Sequence, residues 1–177
     1  MDNLIYGLMA EFDEPDQLLR AAQKAYAEGY RNMDAYSPFP IEGLAEAIGF
    51  HHNRVALIVL IGGALGCLTG FFLQYYVAVF NYPLDIGGRP LNSWPSFIPI
   101  TFELTVLFGA FFAIFGMLAL NRLPMPHHPV FNAPGFELAT RNRFFLCLES
   151  EDPKFDRERS KEFLDSLSAR QVSEVPW

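Results

Sequence analysis

The feature that most constrains this 177-residue chain is the distribution of its charges along the sequence. Of its 33 Asp, Glu, Lys and Arg residues, only Asp85, Arg89 and Glu103 fall within residues 55–120. A soluble domain spreads charged side chains over its whole surface, because every segment contributes to both core and surface. The segregation therefore excludes a purely soluble fold and predicts a membrane segment beside one domain of ordinary size.

Two long apolar stretches account for the charge-poor region. Val55–Phe80 is 26 residues without a formal charge, and Ile98–Leu120 is a second stretch of 23 residues. At about 1.5 Å of rise per residue, each helix is long enough for a hydrocarbon core of about 30 Å. The sequence predicts a transmembrane hairpin that returns the chain to its starting side.

Each flanking segment shows a β-α-β order: a short apolar run typical of a strand, a stretch with apolar residues at helical spacing, and a second strand-like run. The predicted strands are Leu4–Ala10, Asn32–Tyr36, Arg143–Glu149 and Gln171–Val175. Two such halves predict an α+β fold with a membrane part: a split ferredoxin-like βαβ…βαβ domain with the hairpin inserted. The predicted segments are residues 1–54 (first half-domain), 55–80 (helix), 81–97 (outer loop), 98–120 (helix) and 121–177 (linker and second half-domain).

The orientation of the hairpin follows from its flanking charges. Arg54 and Arg122 flank one side and Arg89 alone lies in the outer loop, a slight positive-inside bias. Met1–Met9 lacks the basic and apolar regions of a secretory signal. We therefore expect both termini in the cytoplasm. The predicted interfacial anchors of the outer loop are Tyr82, Trp94 and Phe97.

Both apolar stretches carry a ridge of small residues on one face. The ridges consist of Gly62, Gly66 and Gly70 in the first stretch and Gly109, Ala113 and Gly116 in the second. Such residues let helix backbones approach closely in a membrane. Two interpretations remain open: the ridges pack against each other, or at least one faces a foreign helix, as in a subunit of a larger assembly.

Two polar side chains fall within the apolar stretches, Gln74 and Glu103. Both are predicted in the outer half of the membrane, where they could form a hydrogen-bonded pair. An intramembrane carboxylate suggests a function such as proton handling. The alternative is structural, since a carboxylate near a helix N-terminus accepts free amide N–H groups and is favoured by the helix dipole.

Composition excludes several other classes of protein. With 13 basic against 20 acidic residues, the chain lacks the basic face that binds nucleic acid. Cys67 and Cys147 stand in no metal or haem spacing, which predicts no cofactor in this chain. The pairs His51-His52 and His127-His128 favour interfacial packing over a metal site. A solvated helix face is predicted for the charged residues Asp152, Asp156, Arg157, Glu158, Arg159 and Lys161.

Four runs of sequence together resemble a known family. They are Tyr36–Leu44 (YSPFPIEGL), Asn81–Leu107 (NYPLDIGGRPLNSWPSFIPITFELTVL), Gly116–Asn132 (GMLALNRLPMPHHPVFN) and Arg143–Asp156 (RFFLCLESEDPKFD). With them, roughly residues 4–165 resemble the ActD component of bacterial alternative complex III, a quinol-oxidising membrane assembly. The run through the outer loop is the most specific part, and Glu103 matches its glutamate.

The resemblance implies a small two-helix subunit of the bacterial inner membrane with a cytoplasmic ferredoxin-like domain. It also implies that haem and iron–sulfur clusters belong to partner subunits, and that the quinol site lies mainly in a large multi-helix one. We therefore expect a non-catalytic subunit of a respiratory or photosynthetic quinol:electron-acceptor oxidoreductase, with other subunits and the lipid bilayer as partners.

Two alternatives come from other functional classes. A free-standing membrane-tethered sensor would bind a small ligand or metal in its ferredoxin-like domain. Such a sensor should have a ligand-binding motif, for example CxxC or a Gly-rich loop, and the sequence shows neither. A small channel or transporter built from many copies would need pore-lining polar residues along a helix face, but only Gln74, Glu103 and scattered threonines are available.

Overall fold

The computed structural model describes residues 5–50 and 54–177, which divide into two compact units. One unit, called here the sheet domain, combines residues 5–50 with residues 126–177. The other, the helix hairpin, comprises residues 54–125. Both ends of the chain thus build the sheet domain, and the hairpin is one continuous insertion between them.

The sheet domain contains a four-stranded antiparallel sheet made from both ends of the chain. Its strands are β1 (Ile5–Phe12), β2 (Met33–Tyr36), β3 (Phe144–Glu149) and β4 (Gln171–Pro176). They are ordered β2-β3-β1-β4, and each neighbouring pair is antiparallel. Met9 in β1, for example, lies opposite Cys147 on one side and Ser173 on the other. The sheet therefore forms only where the two halves of the chain meet.

Helices cover one face of this sheet. The helices of the domain are α1 (Pro15–Glu28), the short α2 (Leu44–Ala47) and α5 (Arg157–Ser166). Helix α1 begins at Pro15, whose missing N–H costs nothing in the first turn of a helix. It is followed by the C-cap Gly29, which has a left-handed conformation with φ of 111°. The Asp156 side chain caps α5 by accepting the Arg159 N–H at 2.9 Å. Apolar residues of these helices and of alternate strand positions form the main core.

The opposite face of the sheet carries a second, smaller apolar layer. Two 3₁₀ turns, Pro129–Asn132 and Phe136–Thr140, lie over it. Their buried residues Val130 and Phe136 pack against strand residues including Phe145. The sequence patterns gave no prediction for this layer, because its turns are too short to show a helical period.

The helix hairpin consists of two long apolar helices, α3 (Val55–Tyr76) and α4 (Ile98–Leu120). Helix α3 continues as a π-helix over Val77–Asn81, and a 3₁₀ turn, Trp94–Phe97, leads into α4. By length and composition, both helical segments are long and apolar enough to cross a membrane. The bounds of α4 coincide with the predicted stretch, whereas the first stretch changes from α- to π-helix near its end.

Candidate functional site

The two helices of the hairpin approach most closely at Gly66. A Cβ atom on Gly66 would lie 2.3 Å from the Leu104 carbonyl oxygen and 2.9 Å from the Phe108 Cβ. These distances are far shorter than van der Waals contact, and the oxygen belongs to backbone that a rotamer change cannot move. At this position only glycine permits the observed separation of α3 and α4.

The neighbouring glycines of the same face extend this contact along α3. A Cβ on Gly62 would lie 2.5 Å from the Phe112 side chain, and one on Gly70 would lie 2.9 Å from the Thr101 Cα. Gly62, Gly66 and Gly70 are all buried. The predicted ridge of the first helix therefore lies against α4 of the same chain.

The ridge of the second helix is packed less tightly. A Cβ on Gly116 would lie 2.7 Å from Ile58 Cγ2, but one on Gly109 would meet only Val59 Cγ1, at 4.0 Å. Ala113 is half-buried. The small residues of α4 thus border α3, although only Gly116 requires the absence of a side chain.

Gln74 connects the end of α3 to the start of α4, beside the loop that joins the two helices. Its Nε2 donates to the Gly70 carbonyl at 2.8 Å and to the Phe97 carbonyl at 3.1 Å, and it lies 3.4 Å from Thr101 Oγ1. The amide therefore bridges α3 and the start of α4. Gln74 is therefore a hydrogen-bonding clamp within the hairpin.

Glu103 is placed quite differently from Gln74, and the structure does not bring the two side chains together. Glu103 is exposed, while Leu104 and Phe108 of the same helix border the α3 glycines. Within the described residues, its carboxylate has no hydrogen bond or ion pair. It is the sixth residue of α4, beyond the free amides of the first turn. The two side chains therefore do not form the predicted pair: Gln74 is bound between the helices, and the Glu103 carboxylate is exposed on α4.

The three aromatic residues predicted as interfacial anchors also differ in placement. Tyr82 and Trp94 are exposed at the loop that joins the helices. Phe97 is buried, and its ring centroid lies 6.0 Å from that of Phe71. The 3₁₀ turn before α4 directs this ring inward, so Phe97 packs within the hairpin.

The prediction that Asp152 lies on a solvated helix face is wrong. Asp152 is only 5% exposed and precedes α5. Its carboxylate accepts the backbone N–H groups of Arg31 at 2.6 Å, Asn32 at 2.7 Å and Lys154 at 2.8 Å. Burial alone would raise the pKa of Asp152, but these three donors hold the pKa below its ordinary value.

Asp152 and a neighbouring contact connect the two halves of the sheet domain. The loop it binds precedes β2, whereas Asp152 itself follows β3. The hydroxyls of Tyr30 and Ser160, 2.9 Å apart, form a second buried link between the same segments. The Asp-Pro dipeptide was a usable signal, since Asp commonly accepts the N–H two residues later in such turns; the contact to Asn32 had no local signal.

A line of polar side chains crosses the second face of the sheet. The Tyr6 hydroxyl donates to Glu149 Oε1 at 2.8 Å, and Asp34 lies opposite Cys147 in the β2–β3 register. Burial, aided by the charges of Glu149 and Asp34, raises the pKa of the Cys147 thiol. This thiol is therefore protonated at neutral pH, a form that is a poor nucleophile and metal ligand.

The histidine pairs are only partly described. His51 and His52 lie outside the described residues. His127 is exposed, and His128 Nδ1 accepts the Val130 N–H at 3.4 Å while its ring packs edge-on against Tyr6. Among residues 5–50 and 54–177, no three His, Cys, Asp or Glu side chains are arranged to hold a metal ion.

An open groove of about 890 Å³ lies in the sheet domain beside β2. Its lining combines the Tyr36, Phe131 and Phe136 rings with the polar groups of His128 and Arg141. The size is within the range of small-molecule pockets, but no buried polar group converges on it.

A protein-family model matches most of the chain. Residues 6–174 match the family model described as "Alternative complex III, ActD subunit". No curated protein matches the chain. The matched region includes both halves of the sheet domain and the whole helix hairpin.

Proposed function

The chain belongs to the ActD subunit family of alternative complex III, and we propose that it serves there as a non-catalytic structural and assembly subunit. Membership makes it part of an oxidoreductase complex of electron transport, with other subunits of that complex as partners. The match over residues 6–174 is the observation that carries the proposal, because it spans both units of the fold.

We place the helix hairpin across the bacterial inner membrane, with both termini in the cytoplasm. Its outward faces support this placement. Large apolar side chains such as Leu60, Phe72 and Phe115 are more than half exposed on both helices. Water strongly disfavours so large a continuous apolar surface, whereas lipid or other membrane helices accommodate it.

The sheet domain is, in this proposal, a cytoplasmic ferredoxin-like sandwich. Its antiparallel strand order β2-β3-β1-β4 supports the assignment, as do its two β-α-β halves. A cytoplasmic domain built from both ends of the chain suits an assembly role, since partner subunits can bind its surface.

The redox chemistry belongs, in this proposal, to partner subunits. Haem and iron–sulfur clusters would reside there, and quinol oxidation and electron transfer would be activities of the whole complex. The buried, protonated state of Cys147 agrees with a structural role for this thiol.

A minor contribution to a proton path would rest on Glu103, the carboxylate within α4. Because Gln74 is bound inside the hairpin, such a path would run along the outer surface of α4 and require a partner. Turnover and proton translocation of the Glu103→Gln complex measure this contribution. A structural role leaves both unchanged per assembled complex, and a large loss shows that the carboxylate handles protons.

The test of the assembly role is extraction of native membranes in mild detergent, followed by native electrophoresis and haem staining. We expect this chain to migrate with a haem-containing assembly. Migration of the chain as a small species without haem would contradict the proposal and favour the sensor. The ligand of such a sensor would have to bind at a site such as the groove beside β2.

A further inference from the structure

The outer surface of α4 has one feature that the packing of the hairpin does not explain. Glu103 is exposed among exposed apolar neighbours, Phe102 before it and Val106 and Leu107 one turn after it. It is the one ionisable side chain among the residues of α4. A carboxylate therefore interrupts an otherwise apolar surface.

The helix hairpin itself supplies no donor to this carboxylate. The Gln74 amide is bound to the Gly70 and Phe97 carbonyls. The Thr105 hydroxyl donates to the Thr101 carbonyl at 2.7 Å. The Gln74 and Thr105 donors are thus used inside the chain.

The position of Glu103 along the helix makes exposure to lipid unfavourable. At about 1.5 Å per residue, it lies about 8 Å from Ile98 and about 26 Å from Leu120 along the axis. The glutamate side chain is short, and unlike lysine or arginine it does not reach far along a helix towards water. Intramembrane carboxylates accordingly face the interior of a protein bundle and pair with donors.

We propose that the Glu103 face of α4, formed by Phe102, Glu103, Val106 and Leu107, docks against a transmembrane helix of another subunit. That helix presents a cationic or N–H-donating side chain to the carboxylate, because complementary charge is what this surface lacks. The inference rests on the proposed function, and it adds which side of the hairpin is the interface and what chemistry its partner carries.

Substitution of Glu103 tests the contact in the whole complex. The complex is purified through a tag on this chain, and the retained haem is measured per chain. We expect Glu103→Leu to lower this ratio about tenfold, equivalent to 1.4 kcal/mol. Phe72→Leu, a conservative change at an exposed position of α3 outside this face, should leave the ratio unchanged.

The direction of the Glu103→Leu effect separates docking from exposure to lipid. Removal of a charge makes α4 easier to insert, so the variant chain should accumulate in membranes at least as well as the wild type. If Glu103 faced lipid, the leucine variant would keep its haem, and that result would overturn the inference. If the wild-type chain itself retained no haem, the proposed function would fail instead.

A photoreactive residue at position 106 identifies the neighbour directly, with one at exposed Leu68 of α3 as the comparison position. We expect position 106 to cross-link to an apolar segment of another subunit, within one helical turn of Arg, Lys, His, Trp, Asn or Gln. Adducts with lipid only, or with a helix that lacks such a residue, would contradict the proposal.

Discussion

The contacts that stabilise the sheet domain internally differ in kind from those that stabilise the helix hairpin. In the sheet domain, side-chain acceptors bind backbone donors across the two halves of the chain, as Asp152 does with Arg31 and Asn32. In the hairpin, contact depends on side chains that are missing, as at Gly66, and Gln74 provides a polar clamp. The sheet domain is therefore sensitive to loss of a polar group, and the hairpin to gain of volume.

The two units also differ in what their surfaces leave unmatched. Exposed charges of the sheet domain pair within the chain, as Arg157 does with Glu174 at 2.6 Å. The hairpin instead exposes large apolar side chains and the carboxylate of Glu103. One unit is suited to water, and the other requires surroundings that the chain does not itself provide.

The largest effect is expected from adding volume at Gly66. Gly66→Leu places a side chain against the Leu104 carbonyl and Phe108, so α3 and α4 have to separate. Overpacking of this kind costs about 3 kcal/mol. Thermal unfolding of the detergent-solubilised chain, followed by circular dichroism at a helix wavelength, measures the loss.

The matched pair for that experiment is Gly66→Ala and Gly63→Ala, which add the same Cβ atom at a close and at an ordinary distance from α4. A Cβ at Gly63 would lie 3.8 Å from Thr105 Cγ2, an ordinary contact distance. We expect this variant to unfold at or slightly above the wild-type temperature, because alanine favours helix more than glycine does. Equal stability of the Gly66 and Gly63 variants would show that close backbone approach is not what holds the hairpin.

The next largest effect is expected in the sheet domain, from Asp152→Ala. Three backbone N–H groups lose their buried acceptor, which costs about 2 kcal/mol. Hydrogen exchange of the full chain should show faster exchange around Arg31 and Asn32 and unchanged exchange in α3 and α4. Faster exchange in the hairpin as well would mean that the two units do not unfold separately.

The same carboxylate gives the sheet domain a pH dependence. Because the pKa of Asp152 is lowered in the folded state, its contribution is fully present above the ordinary value of 3.8. The contribution is lost as the pH falls below 3.8 and through the folded pKa. The urea midpoint of the sheet domain should therefore fall less steeply below pH 3.8 in Asp152→Asn than in the wild type.

A smaller effect is expected from Gln74→Leu in the hairpin. The change leaves the Phe97 carbonyl without its donor, and such contacts contribute about 1 kcal/mol between membrane helices. Thermal unfolding of the solubilised chain detects it, with Thr69→Val on the exposed side of α3 as the control. A loss as large as that of Gly66→Leu would mean that polar clamping, not glycine packing, dominates.

The smallest effect is expected from Arg157→Ala. The Arg157–Glu174 pair is exposed to solvent, which screens its attraction, although it lowers the pKa of Glu174. We expect an unfolding midpoint within error of the wild type in physiological salt. A marked loss that high salt abolishes would show that charge pairing matters more to the sheet domain than its buried acceptors do.

Patterns that extend over many residues were predictable from the sequence. Uncharged runs predicted α3 and α4 to within a few residues, and short apolar runs located β1 and β3. That the two ends of the chain pack into one domain was predicted from their β-α-β patterns. These features depend on many residues each, so no single side chain decides them.

Features that depend on one long-range contact were not predictable. Asp152 lies among charged residues in the sequence and was therefore predicted to be exposed. It is buried, and it accepts the N–H of Asn32, which is 120 residues away in the sequence. Gln74 and Glu103 both read as polar groups in an apolar stretch, and only the rotation of each helix about its axis separates them. The periods of the two helices are known from the sequence, but their relative rotation is set by packing at Gly66 and its neighbours.

The strand order has a consequence for how the protein is made. β1 and β2 do not pair with each other, and the partners of both, β3 and β4, are translated only after the hairpin. At about 5–20 residues per second, the roughly 100 residues between β2 and β3 delay that pairing by about ten seconds. During this interval the nascent N-terminal segment exposes unpaired strands. A ribosome that stalls in the hairpin therefore leaves a fragment without a sheet, which proteases can remove before it joins an assembly.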